Sequence, residues 1–379
     1  MISRKPKPAS GALVDPESAS AASDKPDPPL LAPLLLVGAL AFIALFAVVR
    51  SLSADYDPPV SAAALAAPEP PAAPEPPPVA ARGARGETVR LRGGLAMPAV
   101  GFGTCCRASA RGPAVAEATR LYLANGGRLV DTAMAYRNHK EIGEGLRASG
   151  VARDAVWITS KVAPGQVRDY DACLAAVESI VGELGVERLD LLLIHSPKLG
   201  EAKTVELWRA LVEAKRRGRA RAIGVSNFNW AEVEALERAT GELPEVNQIQ
   251  FHPWTPAAWR SVAARGAARG VATTAYTSLG GARFGRKQYP APLVAAARAH
   301  GATEAQVLLR WARQQGVAVI PGSSSEAHIV ENLELPAFEL SAAEVAAIEA
   351  APAPDGWFDA RKGPAKYDAT AAETAWGPR

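Results

Sequence analysis

Four side chains in the middle of the chain, Asp131, Tyr136, Lys161 and His195, are of types that could move a proton to a polarised oxygen. A free tyrosine has a pKa of about 10, too high for an easily emptied acid near neutrality, but a neighbouring ammonium favours the phenolate and pulls the value down. Lys161 is expected to do this to Tyr136. Asp131 is then expected to pair with Lys161 and fix its position, while His195 hydrogen-bonds the oxygen of a bound carbonyl. Each residue alone has a plainer reading, since a strand-end lysine is usually a solvated charge and a lone histidine a satisfied structural group. No Ser/His/Asp or Cys/His arrangement competes with them. A metal centre is poorly supported too, because His195 and Asp131 lack a third ligand.

What gives the four weight is the elements that carry them. From about residue 86 onward, short β-type runs alternate with helical stretches rich in Ala, Leu, Glu and Arg. Eight such strands are legible: AVGFGT, RLVDTA, VWITSKV, LDLLLIHS, AIGVSNF, VNQIQFH, VATTAY and VAVIP. Between them lie amphipathic segments such as DACLAAVESIVGEL and TVELWRALVEAKRRG, with apolar residues at three- and four-residue spacing. Eight βα units in fewer than 300 residues imply an α/β fold, a (β/α)8 TIM barrel. In that fold the C-terminal strand ends carry the chemistry. Strand two ends in Asp131 with Tyr136 just beyond, strand three in Lys161, strand four in His195, strand five in Ser226 and Asn227, strand six in Gln248 and strand seven in Tyr276. Ahead of the first strand, ETVRLRGGLAMP reads as a hairpin with a Gly-Gly turn.

Upstream the texture differs. Residues 1–29 are polar and Pro-rich, with four basic and four acidic side chains, and are expected to be a disordered tail. Residues 30–49, LLAPLLLVGALAFIALFAVV, are uncharged and at about 1.5 Å per residue make about 30 Å of helix, matching a bilayer core. They read as one transmembrane helix rather than a cleaved signal, whose apolar run is usually shorter. Residues 50–85 are an Ala/Pro-rich linker, a semi-rigid stalk that leaves 86–379 as the barrel domain. The expectation is a single-pass membrane protein. Arg4, Lys5, Lys7 and Lys25 precede the span and Arg50 follows it, a bias toward a cytoplasmic N-terminus and an external barrel. So few charges flank the span that they do not fix the side on which the barrel lies.

The whole chain has 379 residues, 48% hydrophobic and 21% charged, with a net charge of +3. That is no basic field, and nucleic acid is not an expected partner. Cys105, Cys106 and Cys173 form no CxxC pair or ligand spacing, and packing thiols are expected, although the adjacent pair allows oxidation. Nothing in the sequence sets the oligomeric state.

In order and spacing, GGLAMPAVGFGT, VDTAMAYRN, ITSKV, LLLIHSP, GVSNF, VNQIQFHP, AYTSLG and VIPGSSS resemble the signature segments of the aldo-keto reductases. The resemblance implies a nicotinamide-dependent reductase that passes hydride to an aldehyde or ketone while Tyr136 protonates the oxygen, with Asp131, Lys161 and His195 completing the catalytic set. It places Ser226, Asn227 and Gln248 on the nicotinamide carboxamide and Tyr276 against the ring. Gly103, Thr104, Thr277 and Leu279 fall along the ribose and pyrophosphate, Ser323 near the adenosine phosphate, and Glu331 and Asn332 at the adenine. Two cations that normally grip the 2′-phosphate of NADPH are Gly322 and His328 here, so the cofactor is expected to be NADPH or NADH with relaxed preference. Cys105 stands where an aromatic is common, and His139 replaces a frequent Glu. Trp254, Trp259 and Trp357 are pocket candidates whose plainer reading is packing. A second reading, a nicotinamide-binding redox-sensing subunit of a membrane protein, also fits the family, but a pure sensor has no need of both Tyr136 and Lys161.

Overall fold

The computed structural model describes residues 86–105, 110–280 and 289–353. The expected tail, span and stalk, together with Cys106 and Trp357, lie outside these residues. Among the described residues no helix is long and apolar enough to cross a membrane.

Eight parallel strands form the sheet: β3 (Phe102–Gly103), β4 (Leu129–Asp131), β5 (Trp157–Val162), β6 (Leu189–Ile194), β7 (Ala220–Ser226), β8 (Val246–Gln250), β9 (Ala272–Tyr276) and β10 (Ala318–Val319). They neighbour one another in chain order. A parallel bridge between Val100 and Val319, with Gly101 N–H donating to Val319 O at 2.8 Å, joins the last strand to the first and closes the barrel. Gly103 is needed at this seam because a Cβ there would sit 2.6 Å from Ile320 O. All eight expected strands are present, and the reason is composition: β5 and β6 are buried along their whole length, as a sheet covered on both faces requires.

The covering helices are α1 (Pro113–Ala124), α2 (His139–Ala148), α3 (Tyr170–Leu184), α4 (Gly200–Arg216), α5 (Trp230–Thr240), α6 (Ala257–Ala268), α7 (Ala291–Ala299), α8 (Glu304–Gln314), α9 (Glu326–Leu333) and α10 (Ala342–Ala350). Their ends are specified locally. Asp169 caps α3 by accepting from Ala172 N–H at 2.8 Å, and Asn229 with Glu232 forms a reciprocal capping box on α5.

The hairpin of β1 (Thr88–Arg90) and β2 (Ala96–Pro98) lies at the N-terminal ends of the strands. Its Leu91 and Met97 pack with Leu129, Trp157, Leu191, Leu193, Ala222, Val246 and Ala318, forming an apolar core inside the barrel that the hairpin plugs from below. With that end closed, a ligand has only the C-terminal rim to enter by. Trp259, fully buried, is a packing residue, and Trp254 packs against the outer core, so neither pocket assignment is needed.

Candidate active site

The rim is built on a buried ion pair. Lys161, at the end of β5, donates from Nζ to Asp131 Oδ1 at 2.6 Å, to Thr132 O at 2.9 Å and to Tyr136 Oη at 3.5 Å. Those three bonds use all three ammonium hydrogens. Asp131, at the end of β4, spends its other oxygen on Gln248 Nε2 at 2.7 Å. Lys161 is wholly buried and Asp131 nearly so, a placement tolerated only because each charge has a partner and further hydrogen bonds. Because Tyr136 Oη accepts from Lys161, the phenol's own hydrogen is left to point elsewhere.

Tyr136 ends a short 3-10 turn, Met134–Tyr136, followed by Arg137 in the left-handed conformation, φ 56°. Asn138 anchors this loop, accepting from Thr132 Oγ1 at 2.8 Å and donating to Ala110 O at 3.0 Å and Thr104 O at 3.1 Å. The Asn two residues after the Tyr was the signal in the sequence, but its partners are distant along the chain and were not foreseen. The His195 ring meets the Tyr136 ring edge-on, with centroids 5.6 Å apart. Tyr136, Lys161, Asp131 and His195 are therefore gathered at one place on the rim.

The expected acidification of Tyr136 is corrected. Burial pushes the phenol above its ordinary value, and Asp131 adds to the rise, so that the Lys161 ammonium beside it only offsets part of the effect. Burial alone would drive the Lys161 amine down, yet Asp131 and Tyr136 together hold it above its ordinary value. At neutral pH the pair is an ammonium and an intact phenol.

A second cluster continues around the rim. Ser226 Oγ donates to Gln248 O at 2.8 Å, Asn227 Nδ2 to His195 O at 2.9 Å, and Tyr276 Oη to Asn227 Oδ1 at 2.6 Å. Asn227 and Thr277 both have positive φ, 64° and 56°, and for a β-branched residue this is strained. Beside Thr277, Ser278 Oγ is buried with no hydrogen-bond partner among the described residues. Strained backbone and an orphaned hydroxyl at the mouth fit a polar ligand laid across β7 to β9. Gly103 and Thr104 continue this edge at β3, where Thr104 Oγ1 donates to Asp131 O at 2.9 Å, and Leu279 packs partly buried beyond Thr277.

The turn from Ile320 into α9 holds the third group. Gly322 and Ser323 are half-buried, while Ser324, Ser325 and His328 are exposed. Ser323 Oγ accepts from Ser325 N–H at 3.0 Å, which preforms the turn. Glu331 accepts from Thr303 Oγ1 at the cap of α8, and Asn332 is buried. Among the described residues no group of three or more His, Cys, Asp or Glu is placed to hold a metal ion. The cysteine expectation holds for Cys173, a buried free thiol pushed up to about 12 by burial. It fails for Cys105, which is disulfide-bonded.

The family model for the Aldo/keto reductase family matches residues 100–353. The chain is 36% identical over 271 residues to morphine 6-dehydrogenase of Pseudomonas putida, covering 69% of this chain and 90% of that one. It is 37% identical over 264 residues to glyoxal reductase of Bacillus subtilis, covering 70% and 92%. Among solved structures, an aldo/keto reductase of Brucella melitensis superposes with a TM-score of 0.63 at 32% identity, covering 69% of this chain and 98% of that one. The Bombyx mori aldo-keto reductase in complex with NADP does so with 0.64 at 28%, covering 69% and 91%. A closed barrel with a Tyr, Lys, Asp and His gathered at its open rim accords with these likenesses: the chain is an NAD(P)H oxidoreductase and belongs to the aldo/keto reductase family.

Proposed function

We propose that the protein reduces an aldehyde or ketone at the barrel mouth, with Tyr136 as the proton donor. The observation that carries this reading is the Lys161–Tyr136 contact, which sets the phenol oxygen beside the ammonium as an acceptor and leaves its O–H available to a ligand oxygen at the mouth. A reduced nicotinamide, when bound, supplies the hydride. Tyr136 gives its proton to the oxygen that gains charge, and Lys161 stabilises the phenolate left behind. Asp131 keeps Lys161 charged and aimed, and His195, ring to ring with Tyr136, donates to the same substrate oxygen. Replacing Tyr136 with Phe is expected to lower carbonyl reduction by about a hundredfold to ten-thousandfold while dinucleotide binding persists; unchanged turnover would remove the proposed acid.

Ser226, Asn227, Gln248 and Tyr276 are assigned to the nicotinamide end, Gly103, Thr104, Thr277 and Leu279 to the ribose and pyrophosphate, and Ser323, Glu331 and Asn332 to the adenosine end. With Gly322 and His328 where relatives of this kind carry cations, a 2′-phosphate loses charged hydrogen bonds worth about 1.5–3 kcal/mol each, or roughly tenfold to a hundredfold in affinity. Both NADPH and NADH are therefore accepted. Fluorescence-quenching titrations with each cofactor test this, and a preference for NADPH above about a hundredfold would defeat it.

The apolar segment 30–49 is assigned as a membrane anchor on its length and lack of charge. The expected result is retention of the full-length protein in membranes after alkaline carbonate washing. Release into the supernatant would rule the anchor out, and protease protection in sealed vesicles would report the side on which the barrel lies.

A further inference from the structure

We infer that His139 is a positioning residue for the reaction, clamping the loop that presents Tyr136 to the strand that presents Lys161. This rests on the reading of Tyr136 as proton donor. His139 is the first residue of α2, directly after the Tyr136 loop, and it is only 2% exposed. Its Nε2 lies 2.9 Å from Ser160 Oγ and its Nδ1 lies 3.2 Å from Glu183 Oε2 on α3. Ser160 precedes Lys161 on β5, and since successive strand residues face opposite sides, Ser160 points out of the barrel while Lys161 points in. One imidazole therefore grips the outer face of β5 next to the ammonium, and its main chain is three residues from the phenol.

The gap it controls is the 3.5 Å between Lys161 Nζ and Tyr136 Oη, already at the long end of a hydrogen bond. Nδ1 faces a carboxylate and so carries the hydrogen, which leaves Nε2 to accept from the Ser160 hydroxyl. The neutral ring thus satisfies both partners. Burial keeps it neutral by lowering its pKa, against Glu183 and Glu141, which raise it, and with Lys161, which lowers it further. Arg137 and Lys140 are the other charged side chains lining the cleft above the ring. The helices holding the clamp are packed without slack: a Cβ on Gly143 of α2 would sit 2.5 Å from Leu184 O of α3.

The test is steady-state reduction of 4-nitrobenzaldehyde by the full chain and four variants, His139→Ala, His139→Gln, Ser160→Ala and the double His139→Ala/Ser160→Ala. Since small misplacements of reacting groups cost up to about a hundredfold, His139→Ala is expected to lower kcat by about tenfold to a hundredfold with KM and cofactor Kd within about twofold. Glutamine, which both donates and accepts, restores most of the loss. Ser160→Ala gives a smaller drop, and the double variant His139→Ala/Ser160→Ala is no slower than His139→Ala alone. The proposal is overturned if kcat of His139→Ala stays within about twofold of the parent, if the change falls on KM or cofactor binding instead, or if the two losses multiply. Should His139→Ala not fold, Ser160→Ala decides: a lowered kcat at constant KM supports the clamp and an unchanged kcat refutes it. A parent-like Tyr136→Phe would instead sink the underlying assignment, independently of these outcomes.

Discussion

The two ends of the barrel are made of opposite materials. The floor is apolar, with Leu91, Met97, Leu129 and Leu191 almost wholly buried. Its charges are paired at the margin: Asp190 accepts from Arg153 and Arg221 at 2.9 Å each, and Lys215 reaches Glu245 at 2.7 Å. The mouth buries an ammonium and a carboxylate, holds Asn227 and Thr277 in left-handed backbone, and leaves Ser278 Oγ without a partner among the described residues. Burial of hydrocarbon stabilises the fold, whereas buried charge and strained backbone work against it unless something else selects for them. The floor therefore reads as stability and the mouth as function.

Removing both partners of the buried pair is the sharpest way to break that contrast. The double variant Lys161→Met/Asp131→Asn is expected to lose about a hundredfold to ten-thousandfold in kcat while its melting temperature holds or rises, because a buried ion pair contributes little net stability. Lys161→Met alone leaves Asp131 with Gln248 only and is expected to cost about 3–5 kcal/mol by chemical denaturation. If the double variant is as unstable as the single one, the mouth is part of what holds the fold together.

Acid probes the mouth in another way. His252, just beyond β8, is fully buried, with Nε2 2.8 Å from Gln250 Nε2 and no partner for Nδ1 among the described residues. Burial, with help from Arg260, lowers its pKa from 6.5 to about 3. Between those values only the unfolded chain binds the proton, so stability falls as pH drops through about 6.5 and levels off near 3, by at most about 5 kcal/mol at 1.36 kcal/mol per unit. Urea unfolding at pH 7 and pH 4 should show the loss, and His252→Gln should flatten it. A parent protein equally stable at both values would contradict the buried neutral ring.

At the floor, Leu191→Ala is expected to cost about 2–5 kcal/mol of stability, with kcat unchanged at temperatures where the variant stays folded. A drop in kcat without loss of stability would mean that the two ends are coupled.

The barrel was readable because its strands are short apolar runs that end in polar residues, a pattern that follows from burying a parallel sheet on both faces. The gathering of Asp131, Tyr136, Lys161 and His195 followed once those ends were aligned. The direction of the Tyr136 shift was not readable, since the cost of burial depends on everything packed around the ring and not on the one ammonium beside it. Nor were the bonds from Gln248 to Asp131 and from His139 to Glu183, which join residues far apart in the chain. Sequence types name the participants, and tertiary packing chooses the partners.

The plugging hairpin has a further consequence. Glu87, just before β1, is tied to the closed end by an ion pair with Arg313 at 3.1 Å and by its carbonyl, which accepts from Ala99 N–H at 2.9 Å. The described chain thus enters the barrel domain at its closed base, on the side away from the rim that gathers Tyr136 and Lys161.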